Sequence, residues 1–276
     1  MSTSSDRQQK ELIQDRFTRT AEVFGDFVMK DRVREADNLA RLVGTNGKDR
    51  AVDLACGPGT LTLTFARRVR WICGVDLTAA MLARARRTML ADGTRNVAFA
   101  FGDAHALPFT DGSLDLAVTS YSLHHMPDPA RVLREMARVL KPGGRAGVLD
   151  IFVPEDAKIA EINNRIERLR DPSHTRTLAK SELDKMFAAA GLRILATEVE
   201  EHPRSFDHWM HVAGWKRGDA AYIETRRLME ATIVDDSANF HPRYAPIDAK
   251  STSEGSSAAP DIAIINTSQS IAAEKI

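Results

Sequence analysis

Residues Arg50 to Asp76, RAVDLACGPGTLTLTFARRVRWICGVD, decide the fold. Ala51 to Ala55 form a short apolar run carrying one acid, Asp53, and Cys56 to Thr60 make a glycine turn. Leu61 to Val69 can be helical, and Trp71 to Val75 read as a second buried strand. That is one βαβ unit with a nucleotide-sized crevice. Gly57 and Gly59 let the backbone pass close to a ligand where a Cβ would clash, and Asp76 ends the second strand where a carboxylate can accept both hydroxyls of a ribose.

The alternation continues outward. Upstream, residues 6 to about 43 place Leu12, Phe17, Phe24 and Val28 at helical spacings, which predicts helices packed on the sheet or over its crevice. Downstream, residues 79 to 91 read as a helix closed by Asp92-Gly93, and Val97 to Phe101 as a strand ending in Gly102-Asp103-Ala104. A fourth strand runs from Leu114 to Tyr121. The next helix opens on Asp128-Pro129 and closes at Lys141-Pro142-Gly143-Gly144, before a fifth strand from Gly147 to Val153. Five rounds of strand and helix argue for a parallel sheet covered on both faces.

The pattern then changes. A charged amphipathic helix over 156–170 and a polar loop from Asp171 to Leu178 are expected to insert over the carboxyl ends of the strands as a lid. Ser181 is expected to cap a helix through Ala190, Leu192 to Val199 to form strand six, and Phe206 to Trp215 and Asp219 to Ala231 to be helical. The closing DIAIINTSQSIAAEKI reads as strand material. The expected architecture is a single α/β domain over 1–276, Rossmann-like and doubly wound, with a mostly parallel seven-stranded sheet, helices on both faces and a helical lid insertion. Its parts are N-terminal helices at 1–49, a cofactor-binding core at 50–154, the lid at 155–180, and C-terminal sheet and helices at 181–276 with a polar loop at about 235–260.

Composition narrows the partners. Lys+Arg and Asp+Glu are equal at 38 each, so the formal charge is zero and gives no general attraction to nucleic acid or anionic membranes. The N-terminus MSTSSDRQQKE lacks the apolar core of a signal peptide, and no run of about 18 apolar residues offers a span; a cytoplasmic location is expected. Cys56 and Cys73 fall on the first two strands and read as small packed residues rather than a metal or redox pair.

A glycine turn after a first strand serves both dinucleotide enzymes and S-adenosylmethionine (SAM) methyltransferases. Here the third glycine of a GxGxxG turn is replaced by Thr62, which removes the close packing that cradles a pyrophosphate. Asp103, on the turn after strand three, can accept from an adenine amino group while the Ala104 amide meets a ring nitrogen. VDLACGPGT, GVDLTAAML, GDAHALPFTDGSLDLAVTSYSLHH and EMARVLKPGGRAGVLD follow in order. With these motifs the chain resembles the class I SAM-dependent methyltransferases, and within them the ubiquinone/menaquinone C-methyltransferase branch, over about residues 50 to 150.

The resemblance implies a SAM pocket. Gly57 and Gly59 would lie beside the methionine portion, and Asp53 would hold that turn or the methionine amino group through water. Asp76 would bind the ribose diol, Leu77 would pack on adenine, Asp103 and Ala104 would read its edge, and Ser120 would face the methionine. The segments after strands four and five, TSYSLHHMPD and LDIFVP, differ from those of the quinone enzymes, so what is implied is fold and cofactor rather than a quinone acceptor.

An activated sulfonium methyl needs mainly alignment with its acceptor, and proximity is worth about 7 to 11 kcal/mol. His124, following strand four, could take an acceptor proton, whereas His125 reads equally as a ligand of the loop backbone. In the lid, His174 and Arg176 could orient an oxygen-bearing acceptor, unless Arg176 pairs locally with Asp171. The expected partner is a small-molecule methyl acceptor, with the chain a monomer or homodimer. A nicotinamide oxidoreductase, a SAM-binding protein without methyl transfer and a methyltransferase acting on a protein partner are the competing readings.

Overall fold

The computed structural model describes residues 4–244 and 260–276. Three helices, α1 (Ser4–Arg19), α2 (Ala21–Asp31) and α3 (Val33–Leu42), lead into β1 (Arg50–Leu54), α4 (Thr60–Ala66), β2 (Trp71–Asp76), α5 (Ala79–Asp92) and β3 (Val97–Phe101). Then come β4 (Leu114–Ser120), a 3₁₀ turn at Leu123–His125, α6 (Pro129–Val139), β5 (Leu140–Ile151), α7 (Ala157–Arg170) and α8 (Lys180–Ala189). β6 (Leu192–Ser205), α9 (Phe206–Val212), α10 (Ala220–Ala231), β7 (Arg243–Tyr244) and β8 (Ile262–Lys275) complete the described chain.

Alternation along each strand decides which layer its side chains join. In β1, Val52 and Leu54 enter one core and Ala51 the other; in β4, Leu114 and Ala117 oppose Leu116 and Val118. The first core is closed by Leu133 and Met136 of α6 and Phe187 of α8, the second by Leu39 of α3 and Phe65 of α4. The result is the expected α/β sandwich with helices on both faces.

The sheet order is β3-β2-β1-β4-β5-β8-β6, with the two-residue β7 paired to β8. β1 to β5 pair in parallel, and β8 runs antiparallel between β5 and β6. Seven long strands were expected and are present; β7 is additional. Strand order reverses at the β1–β4 pair, so the connections leaving those two strands diverge and open a crevice at their carboxyl ends.

Several boundaries differ from expectation for identifiable reasons. Lys141-Pro142-Gly143-Gly144 does not stop α6: the helix ends at Val139, and the four residues are bulged within β5, whose pairing jumps from Leu114↔Leu140 to Leu116↔Arg145. β6 extends to Ser205 because it pairs with β8 along its whole length, down to Ser205↔Ala263. Ser181 is not the cap of α8; Ala179 holds that position, while the Ser181 amide and hydroxyl donate to Glu155. Of the polar stretch at 235–260, residues 245–259 lie outside the described residues, and Phe240 is buried against Trp209.

The lid is where expectation and structure part. Ile166 of α7 packs with Phe206, Trp209 and Met229 in a third core, and no residue of 155–180 lines the crevice. The roof over the crevice comes from α1, α2 and α3, through Lys10, Phe17, Phe24 and Ala36, with Arg32 at the α2–α3 junction.

Candidate functional site

The crevice holds about 1040 Å³ of space, counting its open mouth. Four strand ends build its floor. Of the residues read from the sequence as cofactor ligands, Gly57, Asp76, Leu77, Asp103, Ala104 and Ser120 line it together. Ala55 and Tyr121, immediately beyond β1 and β4, both adopt positive φ, 51° and 50°, a strained conformation for residues with a Cβ that is characteristic of sites.

Asp76 is buried at the end of β2, and its two oxygens accept from the Gly57 amide (2.8 Å) and the Thr78 amide (2.8 Å). Each oxygen keeps a further acceptor position. Burial raises the carboxyl's pKa, opposed by these amides. Gly57 has φ 53°, and a Cβ built there meets nothing within 4 Å: the space that glycine leaves open is the crevice itself. Gly59 differs. Its φ is 89° and a Cβ would come 3.1 Å from that of Ala85 and 3.3 Å from the Phe99 ring, so this glycine starts α4 and lets it pack on the layer beneath. It does not line the crevice, contrary to expectation.

Asp53 also lies below the crevice rather than in it. Its Oδ2 accepts from the Thr62 hydroxyl at 2.5 Å, and its buried Oδ1 has no hydrogen-bond partner among the described residues. Burial pushes its pKa up to about 7, reinforced by the nearby Asp76 charge. Thr62, noted in the sequence as the missing glycine, thus ties the strand carboxylate to the helix.

At the other end, Asp103 accepts from the His105 amide (2.9 Å), the His105 ring (2.7 Å) and the Lys10 ammonium of α1 (2.6 Å). Partial burial would raise its pKa, but these contacts win and hold it below the usual carboxylate range. Leu77 offers its carbonyl to Gln14 of the same helix at 2.9 Å. The roof is thereby hydrogen-bonded to the far wall.

His124 and His125 separate in role. His124 Nδ1 lies 2.5 Å from Asp150 Oδ1, and Asp150 also accepts from the amides of Leu123, His124 and Ile151. A carboxylate so placed faces Nδ1 as an acceptor, which fixes the tautomer with the lone pair on Nε2. His125 donates from Nδ1 to the Ser173 carbonyl at 3.0 Å and is buried, which lowers its pKa to about 4.

The sequence-predicted pair His174 and Arg176 does not reach the crevice. His174 is buried with Nε2 2.9 Å from Asn164 Oδ1, and Arg176 is exposed with both Nη atoms on Glu182. Asp171 does not pair with Arg176; it accepts from Ser173 and faces Arg16 at 3.3 Å. The loop acts through its backbone instead: Thr175 and Arg176 amides donate to the His124 carbonyl, which locks the 3₁₀ turn.

A second cavity adjoins the first and shares Phe17, Phe24, Arg32, Tyr121 and His125 with it. His124 lines it, with Glu167, Arg170 and Asp171 from the segment expected as a lid. Tyr121 donates to Glu35 of α3 at 2.5 Å and carries the Arg32 guanidinium 3.3 Å above its ring. Asp150, Glu35, Arg32 and Arg204 are site residues that the sequence did not reveal. Asp150 alone had a signal: it is an acid ending the strand beside β4, at the same edge as Asp76.

Both cysteines are buried and free. No helix among the described residues is long and apolar enough to cross a membrane, and no group of three or more His, Cys, Asp or Glu side chains among them is arranged to hold a metal ion.

The open cradle at Gly57, the spare acceptor positions of Asp76 and the carboxylate of Asp103 at the opposite end fit a nucleoside with a tail that carries no phosphate. Comparison with known proteins agrees. Residues 51–144 match a family described as a methyltransferase domain. The uncharacterized methyltransferase YcgJ of Bacillus subtilis (strain 168) is 34% identical over 201 residues, which cover 72% of this chain and 78% of that protein. Its crystal structure matches with a TM-score of 0.75 over 88% of this chain and 98% of that one, at 28% identity. A demethylmenaquinone methyltransferase of Mycobacterium sp. (strain KMS) is 29% identical over 191 residues, 67% of this chain and 80% of that protein. Geranyl diphosphate C-methyltransferase from Streptomyces coelicolor A3(2), solved with Mg²⁺, geranyl diphosphate and S-adenosyl-L-homocysteine, shares the fold at a TM-score of 0.58 and 16% identity, over 88% of this chain and 78% of that one.

Proposed function

The chain belongs to the class I SAM-dependent methyltransferases, and from that premise we propose that it methylates a small molecule held between the crevice and the second cavity. It is a transferase, and its cofactor is SAM. The observation that carries the acceptor reading is the second cavity directly beside the crevice: Phe17, Phe24, Arg32, Tyr121 and His125 line both. A chamber roofed by helices suits a compact acceptor better than a segment of folded protein. The relatives point the same way, since a demethylmenaquinone methyltransferase and a geranyl diphosphate methyltransferase are by name enzymes of small molecules.

In this reading Asp76 takes the ribose hydroxyls with its remaining acceptor positions, and Gly57 gives the methionine portion room. Leu77 covers the adenine, Asp103 and Ala104 read its edge, and Ser120 faces the methionine. Gly59 and Asp53 act from behind: the glycine sets the start of α4, and the aspartate holds Thr62 and offers Oδ1 to the methionine ammonium through water. SAM, when bound, supplies a methyl already activated by its sulfonium charge. The protein aligns the acceptor by burying it, and His124, held by Asp150, takes the proton that an N–H or O–H acceptor releases.

The direct experiment is calorimetric titration with SAM and S-adenosylhomocysteine, followed by an S-adenosylhomocysteine release assay over phenols, amines, carboxylic acids and quinones. Saturable binding of both nucleosides and product release with at least one acceptor are expected; no binding of either nucleoside would remove the basis of this reading.

A further inference from the structure

Four arginines line the second cavity, Arg16, Arg32, Arg170 and Arg204, against two carboxylates, Glu167 and Asp171. Both carboxylates are already committed: Asp171 to Arg16, and Glu167 to Arg170. Arg32 and Arg204 are left over. Arg32 Nε and Nη1 and Arg204 Nε are buried and have no hydrogen-bond partner among the described residues. Glu35 lies near enough for its charge to favour the Arg204 cation, but its oxygens meet the Tyr121 hydroxyl at 2.5 Å and the His202 ring at 3.2 Å rather than either guanidinium. His202 in turn shares a hydrogen bond with Ser268.

Aromatic rings hold the two guanidinium groups in place without neutralising them. Arg32 stacks over Tyr121 and lies 5.3 Å from the Phe27 ring centroid, and Arg204 lies 5.9 Å from the same ring. Burial, with the Arg32 charge beside it, lowers the Arg204 pKa to about 10, so the group remains cationic at neutral pH while being disfavoured there. Both arginines are half-buried, and guanidinium N–H groups buried without an acceptor are costly; proteins retain them where something else completes them. Stacking on rings is a common way to fix a guanidinium fork for a planar or tetrahedral oxyanion.

We infer that the methyl acceptor carries an oxyanion, a carboxylate or a phosphate, which sits between Arg32 and Arg204 in the second cavity, with its apolar body against Phe17 and Phe24. Calling this ligand the acceptor rests on the methyl-transfer reading above. The anion site itself rests only on the two arginines. Arg32 lines both cavities, so an acceptor anchored there extends toward Ser120 and the cofactor crevice. His124 stands on the wall of the same chamber.

The test follows the arginine Nε–H resonances of the full chain by NMR, assigned through Arg32→Lys and Arg204→Lys, in titrations with benzoate, phenyl phosphate and the neutral benzamide at constant ionic strength. Saturable shifts of both resonances with benzoate or phenyl phosphate are expected, at an affinity at least tenfold tighter than for benzamide; which anion wins separates carboxylate from phosphate acceptors. Arg204→Gln should weaken that anion at least tenfold while leaving S-adenosylhomocysteine affinity within about twofold, which shows the fold and cofactor site intact. No saturable shift with either anion, or equal affinity for benzamide, overturns the inference. Absence of S-adenosylhomocysteine binding to the unmodified protein overturns the methyltransferase reading instead, and the anion titration still decides the arginines.

Discussion

Two glycines of one turn separate binding from folding. Gly57 needs its left-handed φ and faces open space, so Gly57→Ala adds a methyl to the crevice at a conformational cost of about 1 to 2 kcal/mol. Gly59→Ala meets Ala85 and Phe99 within 3.3 Å and strains the packing of α4 as well. The expected outcome is a Gly57→Ala protein that still folds but binds S-adenosylhomocysteine at least tenfold more weakly, and a Gly59→Ala protein with the larger drop in melting temperature; calorimetry and thermal melts read the two. Asp53 adds a pH dependence. Its folded pKa of about 7 lies above the ordinary 3.8, so between about pH 4 and pH 7 the unfolded chain ionises while the fold keeps its proton. Stability from this group is therefore lost as pH rises through that window and is flat above it. Asp53→Asn, which keeps the acceptor for Thr62, should melt with a shallower decline from pH 4 to 7 than the natural protein. For His124, replacement by Gln should lower kcat about 10²- to 10⁴-fold on an acceptor that must lose a proton, with little change in SAM affinity, whereas a change confined to KM would count against a base. The crevice residues proposed to bind the nucleoside were legible because they sit at fixed offsets from a strand end. Arg32, Glu35 and Arg204 were not, because their roles arise from contacts such as Tyr121 to Glu35 across 86 positions, which no local pattern records.

At the scale of elements, helices and strands were readable where periodicity and caps agreed. Asp128 caps α6 by accepting from the Arg131 amide, and Asp156 caps α7 through Lys158 and Ile159, as their side chains suggest. Periodicity could not say which helices cover the crevice. An amphipathic stripe reveals that a face is buried but not against what, so α7 read as a lid, while for the N-terminal helices packing on the sheet and covering the crevice stayed open. What makes α1 the roof is a set of polar contacts: Gln9 donates to the carbonyls of His125 and Ser173, Lys10 reaches Asp103, and Gln14 reaches Leu77. Lys10 occupies an oxygen of Asp103, the carboxylate proposed to read adenine, and in that reading ligand entry and roof position are coupled. Amides of α1 and α2 should exchange with deuterium at least tenfold more slowly once S-adenosylhomocysteine is saturating; equal protection with and without ligand would argue for a roof fixed independently of the cofactor.

Across the whole molecule, the parallel half of the sheet followed from alternation and the glycine turn, while the placement of β8 between β5 and β6 did not, since strand order is set by non-local pairing. That sheet leaves the chain's two thiols in telling positions. Cys73 is sealed in β2, and Cys56 stands in the crevice wall. Burial lifts Cys73 to about 11 and Cys56 well above its ordinary range, so neither is a nucleophile at neutral pH while the fold is closed. Alkylation by iodoacetamide then runs as a clock for opening rather than as a measure of thiol reactivity. S-adenosylhomocysteine at about one hundred times its Kd adds about 2.7 kcal/mol to the folded state, so Cys73 labelling governed by global opening should slow about a hundredfold. A Cys56 that labels faster than Cys73 without ligand, and in step with it once ligand is bound, would time the lifting of the roof separately from the unfolding of the sheet.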